Sequence, residues 1–265
     1  MPNRSVSSRE GPNMNSITIS LFVAACVFTG GLAGIGLHRV LPQEHLSKET
    51  QEVIRLGTGM LSVLSSLVLG LLIATAKGSY DASDNAVRRY AADIALLNET
   101  LRDYGGVASV PRDRLREYTQ ALLDDIWPTN GGAPHLSDEA AGKLLQEMRA
   151  RIRDLPVPDD GKLWLRGQAL KINVDLLRER WLLIGDQGPS VSPIVLVVLV
   201  SWITVIFVSF GLNAPRNASV AGAFLICALA IGGSIFLIQE MDRPLVGVMQ
   251  ISSWPLKNVL PQMDW

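Results

Sequence analysis

LSSLVLGLLIATAKGSYDASDNAVRRY, Leu64 to Tyr90, changes chemical character at its centre while keeping one helical pattern. Up to Ala76 every residue is apolar, small or hydroxylated; from Lys77 onward charges arrive while Val87 and Tyr90 begin an apolar stripe. No proline interrupts the passage, and Gly78, at the change of phase, is a place for a bend rather than a stop. The stretch reads as one helix that leaves lipid and enters a bundle in water, which decides the fold.

Working outward, the apolar half recurs. Charge-free windows of 21 to 29 residues lie between Glu10 and His38, Arg55 and Lys77, Asp186 and Arg216, and Arg216 and Glu240. At about 1.5 Å of rise per residue, about 20 residues cross the hydrocarbon, so each window is long enough. Spans are predicted at Ser16 to Leu37, Leu56 to Ala76, Val191 to Leu212 and Ala218 to Ile238. Arg4 and Arg9 precede the first as they would a signal peptide, but its apolar run exceeds a signal core, so it reads as an uncleaved anchor. A 48% apolar chain of 265 residues with formal charge -1 agrees with a multi-pass membrane protein.

Lys and Arg near the span ends set the expected orientation. Arg4, Arg9, Lys77, Arg88, Arg89, Arg178, Arg180, Arg243 and Lys257 fall on one side, against Arg39, Lys48, Arg55 and Arg216 on the other. The richer side, with both termini and the stretch from Lys77 to Ser190, is expected in the cytoplasm of a cell whose plasma (inner) membrane holds the spans. The expected organisation is residues 1–15 as a cytoplasmic segment, 16–76 as spans one and two, 77–190 as a cytoplasmic helical domain, 191–238 as spans three and four, and 239–265 as an interfacial tail.

The central stretch has four amphipathic stripes. Val87, Tyr90, Ile94, Leu97, Leu101 and Tyr104 extend the second span and stop at Gly105-Gly106; Leu115, Tyr118, Leu122 and Ile126 follow Pro111 and stop before Pro128. Ala141, Leu145, Met148 and Ile152 follow Ser137 as a predicted cap and stop before Pro156. Leu163, Gly167, Leu170, Val174, Leu177, Trp181 and Ile184 step alternately by four and three, a heptad seam that reads either as the inner face of the bundle or as a coiled coil between subunits. The fold class is therefore all-α, with four transmembrane helices and a cytoplasmic helical bundle inserted between helices 2 and 3.

Sixteen basic and 18 acidic residues alternate between Lys77 and Ser190, which argues against nucleic acid as a partner, and Arg149, Arg151 and Arg153 read as a solvated face. No P-loop, GxSxG, HExxH or metal-spaced His/Cys/Asp set occurs, so neither an enzyme, a cofactor nor a metal is expected. His38, His45 and His135 read as surface residues, and Cys26 and Cys227 as small apolar packers. The spans contain no charge that would serve as a proton relay. They do contain small residues at helical spacing: Gly30 and Gly34 in the first, and Gly59, Ser62, Ser66, Gly70 and Ala74 in the second. The second set reads as a packing face or as the wall of a narrow, uncharged path for weakly hydrated ions.

The runs LVLGLLIATAKGSYD (Leu67 to Asp81), YGGVASVPRDRLREY (Tyr104 to Tyr118), SFGLNAPRNASV (Ser209 to Val220) and MDRPLVGVMQISSWPLKNVL (Met241 to Leu260) resemble the bestrophin-like family of bacterial membrane proteins. The family takes its name from bestrophins, pentameric anion channels with four spans per subunit and cytoplasmic termini. The resemblance implies a homo-oligomer in the lipid bilayer, five copies by analogy, with anions as possible cargo and the second span, hence Ser62, Ser66 and Gly70, lining the pore. Calcium gating through an acidic cluster after the last span is not expected, since only Glu240 and Asp242 are offered. The alternative is a membrane-anchored scaffold or sensor whose bundle binds a protein partner.

Pro244 is predicted to end the fourth span near Asp242, since proline lacks the amide hydrogen and obstructs the preceding turn. The tail beyond it is too apolar to float in water, and is expected to dock at the membrane surface against the stalk helices or a neighbouring subunit. Ser252 or Ser253 would cap a short helix, Trp254 and Trp265 suit headgroups, and Glu240, Asp242 and Arg243 would form a cytoplasmic collar at the pore mouth.

Overall fold

The computed structural model describes residues 16–37, 48–128, 139–185, 190–245 and 247–263, and among them every regular element is helical. The predicted cap Ser137, the three histidines and Trp265 lie outside the described residues. The helices are α1 (Ser16–Leu37), α2 (Lys48–Tyr104), α3 (Ser109–Ile126), α4 (Glu139–Arg153), α5 (Asp160–Gly185), α6 (Pro193–Asn213), α7 (Ala218–Met241) and α8 (Trp254–Lys257). The chain divides into two compact units, residues 1–76 with 191–240 and residues 77–190 with 241–265. The 57-residue α2 contributes to both and stays helical through Gly78.

Four helices, α1, α2, α6 and α7, are long and apolar enough to cross a membrane. In the first unit α1 packs on α6 and α7 through glycine. A side-chain carbon added at Gly34 would lie 2.2 Å from the carbonyl oxygen of Val208, and one at Gly211 would lie 2.2 Å from that of Gly31. Gly30 sits against Thr204 and Gly31 against the ring of Phe224. With no hydrophobic force between helices in lipid, this backbone-to-backbone approach supplies the dispersion contact that holds α1 to its neighbours.

The second unit is built around one apolar core. The stripes of α2 (Val87, Tyr90, Ile94, Leu97, Leu101, Tyr104), α3 (Leu115, Tyr118, Leu122, Ile126) and α4 (Ala141, Leu145, Met148, Ile152) are buried together. Gly105, at φ 100, ends α2 in the left-handed region that glycine adopts at low cost. Lys162 then donates to the carbonyls of Asp103 (2.9 Å) and Tyr104 (2.6 Å), and Arg166 to those of Arg153 (3.4 Å) and Leu155 (3.3 Å), so the start of α5 satisfies the open ends of α2 and α4.

α5 departs from its sequence pattern. Its buried face is Ala169, Ile172, Asn173, Leu176 and Arg180, while Leu163, Gly167, Val174 and Trp181 of the heptad seam are exposed and Leu170 and Leu177 only half-buried. On this inner face Asn173 donates to the Leu145 carbonyl of α4 at 3.3 Å and Arg180 interacts with Tyr118, so polar residues take inner positions and the strongest apolar periodicity is displaced outward. The Tyr90 and Tyr118 hydroxyls are hydrogen-bonded to each other, and burial raises the pKa of Tyr118.

Candidate functional site

The small face of α2 has the opposite surroundings from that of α1. Gly59, Ser66, Gly70 and Ala74 are exposed and Ser62 is half-exposed. A side-chain carbon added at Gly59 or Gly70 would meet nothing within 4 Å. α2 packs through another face, where Ser65, Leu72 and Ala76 are buried and the Thr58 hydroxyl donates to the Ser209 hydroxyl of α6 at 2.9 Å. Of the four apolar helices it is the least covered, 17% of its window being buried against 39% for α6.

The hydroxyls on this face are already engaged. Ser62 donates to the carbonyl of Thr58 at 2.8 Å and Ser66 to that of Ser62 at 2.9 Å, the backbone bond that a serine makes inside an apolar helix. Each oxygen therefore shows outward its acceptor lone pairs rather than its proton. The result is a narrow, uncharged strip of glycine, alanine and hydroxyl oxygen, left open by the chain that carries it.

The predicted collar residues have separate surroundings. Glu240, the last residue of the first unit, is buried. In the second unit Asp242 accepts from the backbone N–H of Ser190 at 2.8 Å and from the Ser190 hydroxyl, so this carboxylate ties the end of α7 to the approach of α6, and Arg243 is exposed. No group of three or more His, Cys, Asp or Glu that would hold a metal occurs among the described residues.

The tail is a component of the bundle core. Ile251, Leu256, Val259 and Met263 are buried in the same cluster as Leu97 and Leu122. α7 ends at Met241, and the chain turns at Gly247 (φ 114), closed by a hydrogen bond from Ile251 N–H to the Pro244 carbonyl at 2.9 Å. Trp127 donates its indole N–H to the Ile251 carbonyl (2.9 Å). Arg112 donates to the Asn98 side-chain oxygen (3.1 Å), and Asn98 donates to the Gln262 carbonyl (3.2 Å). Ser252 Oγ accepts from Trp254 N–H at 3.2 Å at the start of α8, and Trp254 faces outward. Sequence reasoning missed Arg112 and Asn98 as the polar link to the tail; an arginine on the apolar side of α3, next to Pro111 and three residues before Leu115, was the available signal.

An all-α chain with four membrane-length helices and a separate helical unit defines a class of multi-pass membrane protein, and comparison places it more closely. A family model described as Bestrophin-like domain matches residues 25–256, and the chain belongs to that family. The match begins within α1, ahead of the sequence motifs. Two crystal structures of mutants of a bacterial bestrophin homologue from Klebsiella pneumoniae share its fold: one at 12% identity and TM-score 0.67, covering 94% of this chain and 95% of the other, and one at 13% and 0.63, covering 92% and 95%. A crystal structure of a mutant membrane protein is similar at 12% identity and TM-score 0.62, covering 93% and 96%. No curated protein matches the chain in sequence.

Proposed function

We propose that copies of this chain assemble in the membrane around a central path lined by the small face of α2, and that ions pass along it. The observation that carries this reading is the open face itself: the places of side chains at Gly30, Gly31 and Gly34 of α1 are filled by their neighbours, whereas Gly59 and Gly70 of α2 meet nothing within 4 Å. In a single chain such a strip would face lipid with nothing gained from its small residues; around an axis it lets several backbones come close and leaves a narrow route. The second unit is then the cytoplasmic domain, inserted between the second and third spans, with both termini on its side, as the nine-to-four basic asymmetry supports. No chemical reaction is assigned to the chain.

Five copies and a preference for anions come from the family resemblance. With the Ser62 and Ser66 protons on backbone carbonyls, the helix offers an anion small size and no fixed charge, not hydroxyl donors. Purified protein in planar bilayers under a salt gradient tests the reading. Unitary currents support it, and the sign of the reversal potential gives the ion preference. A stable monomer in mild detergent, or an oligomer that remains electrically silent, removes the channel and leaves the anchored scaffold.

A further inference from the structure

Three cations bound the charge-free windows of the sequence, Arg55, Lys77 and Arg216, and two of them are engaged. Lys77 pairs with Asp81 and lies over the ring of Tyr80, 5.5 Å from its centroid, and Arg216 donates to the Ile35 carbonyl at 3.4 Å. Arg55 is exposed and makes no hydrogen bond or ion pair among the described residues.

Its place on α2 gives this cation a use. The strip of Gly59, Ser62, Ser66 and Gly70 steps along the helix by three and four, and one further step of four back from Gly59 is Arg55. At about 100° per residue Arg55 comes within about 20° of Ser66, about three turns away. No charge follows it before Lys77, so Arg55 is the last charge met on entering the strip, at the membrane surface remote from Lys77. Glu52, also exposed, lies on the same face one turn further out.

The order of these two charges decides their effect. Arg55 borders the apolar window, where the dielectric is low and a charge acts several-fold more strongly than in water. Glu52 is about 4.5 Å further out along the axis, in water, whose dielectric weakens it and whose salt screens it beyond about 8 Å. Copies arranged around an axis turn Arg55 into a ring, and a ring of arginines at a narrow mouth concentrates anions and repels cations. The strip beyond it does not discriminate by charge, since its hydroxyl protons are held by backbone carbonyls.

We propose that Arg55 is the specificity-determining residue of the path put forward above, on which this inference rests: its guanidinium draws anions to the mouth and holds cations back. Reversal potentials of the reconstituted protein under a salt gradient test it. The parent should prefer anions, Arg55→Gln should lower the anion-to-cation permeability ratio several-fold, and Arg55→Lys should keep it. Exchanging the two charges, Glu52→Arg together with Arg55→Glu, leaves the net charge unchanged and should reverse the preference. A folding defect in these variants is bypassed by Arg55→Cys in a chain with Cys26 and Cys227 replaced by alanine, modified after assembly. A cationic thiosulfonate reagent should raise its ratio and an anionic one should lower it. Currents whose reversal potential is the same in the parent, Arg55→Gln and the exchanged chain, as when Arg55 meets lipid phosphate instead, overturn the assignment and leave the path standing. A parent that prefers cations does the same, and a parent that carries no current removes the path and this inference with it.

Discussion

α1 and α2 each carry small residues at helical spacing, and the chain treats them oppositely. At Gly30, Gly31 and Gly34 of α1 the missing side chains are occupied, with Thr204, Phe224 and Val208 standing where a side-chain carbon would go. On α2 nothing stands there. The second unit repeats the contrast with large residues: Ile251 and Leu256 of the tail are covered by the bundle, while Trp181 and Val174 of α5 are not. Spacing tells which positions share a face; only packing tells whether the chain covers that face or leaves it for something else.

The largest effect belongs to the covered glycines. Gly34→Leu or Gly211→Leu places carbon where backbone already lies, and neither carbonyl can move without breaking its helix. Both variants should fail to accumulate as folded protein, read as loss of the monodisperse peak in fluorescence-detected size exclusion. Gly59→Ala, which meets open space, should keep the peak. Equal behaviour of Gly34 and Gly59 variants would erase the distinction between the two faces.

Next come the open positions of α2, whose enlargement acts between copies. Ser66→Trp or Gly70→Trp should abolish conductance or lower the oligomeric mass while the monomer still folds, whereas Leu67→Trp, one residue round the helix, should be tolerated. Conductance unchanged in all three would remove α2 from the path. The third effect is smaller and again on a covered surface: Leu256→Ala leaves a cavity where the tail meets the bundle, at about 2–5 kcal/mol of stability. It should lower the unfolding midpoint clearly, and Trp254→Ala, an exposed neighbour, should not.

Much of this was legible in the sequence. The absence of charge bounded the apolar helices because an ion in hydrocarbon is costly, and α1 begins and ends where the sequence reading has it, at Ser16 and Leu37. Three stripes of the bundle were readable because each helix has one wet side. The α5 face was not, since a heptad of large residues has the same period whether it meets its own core or another chain. The tail's destination was equally hidden: Ile251 and Leu256 announce burial, but the Trp127 indole, the Asn98 amide and the Arg112 guanidinium that receive the tail are more than 100 residues away in sequence. The open strip of α2 could be listed from spacing, though its openness could not.

The smallest effect concerns groups between the two extremes, the carboxylates of Asp93 and Glu179, partly buried where α2 and α5 approach. Burial raises the pKa of both, and neighbouring carboxylates add to it: Asp175 for Asp93, and Asp93 and Asp175 for Glu179, which Arg89 and Arg178 partly oppose. A carboxyl whose folded pKa lies above its unfolded value binds its proton more tightly in the native state. Its contribution is then most favourable on the acid side and is lost as pH rises from the ordinary carboxylate range through the raised value. Asp93→Asn removes one charge from the cluster and relieves Glu179 of the carboxylate that opposes it most, so the variant should lose less stability than the parent as pH rises through and above the ordinary carboxylate range. Both carboxylates retain considerable exposure, so solvent screens the difference and it should be the weakest of the four. Thermal unfolding midpoints of parent and variant across that range decide it: parallel pH profiles would mean that α2 and α5 are apart enough in solution for these carboxylates to behave as surface groups.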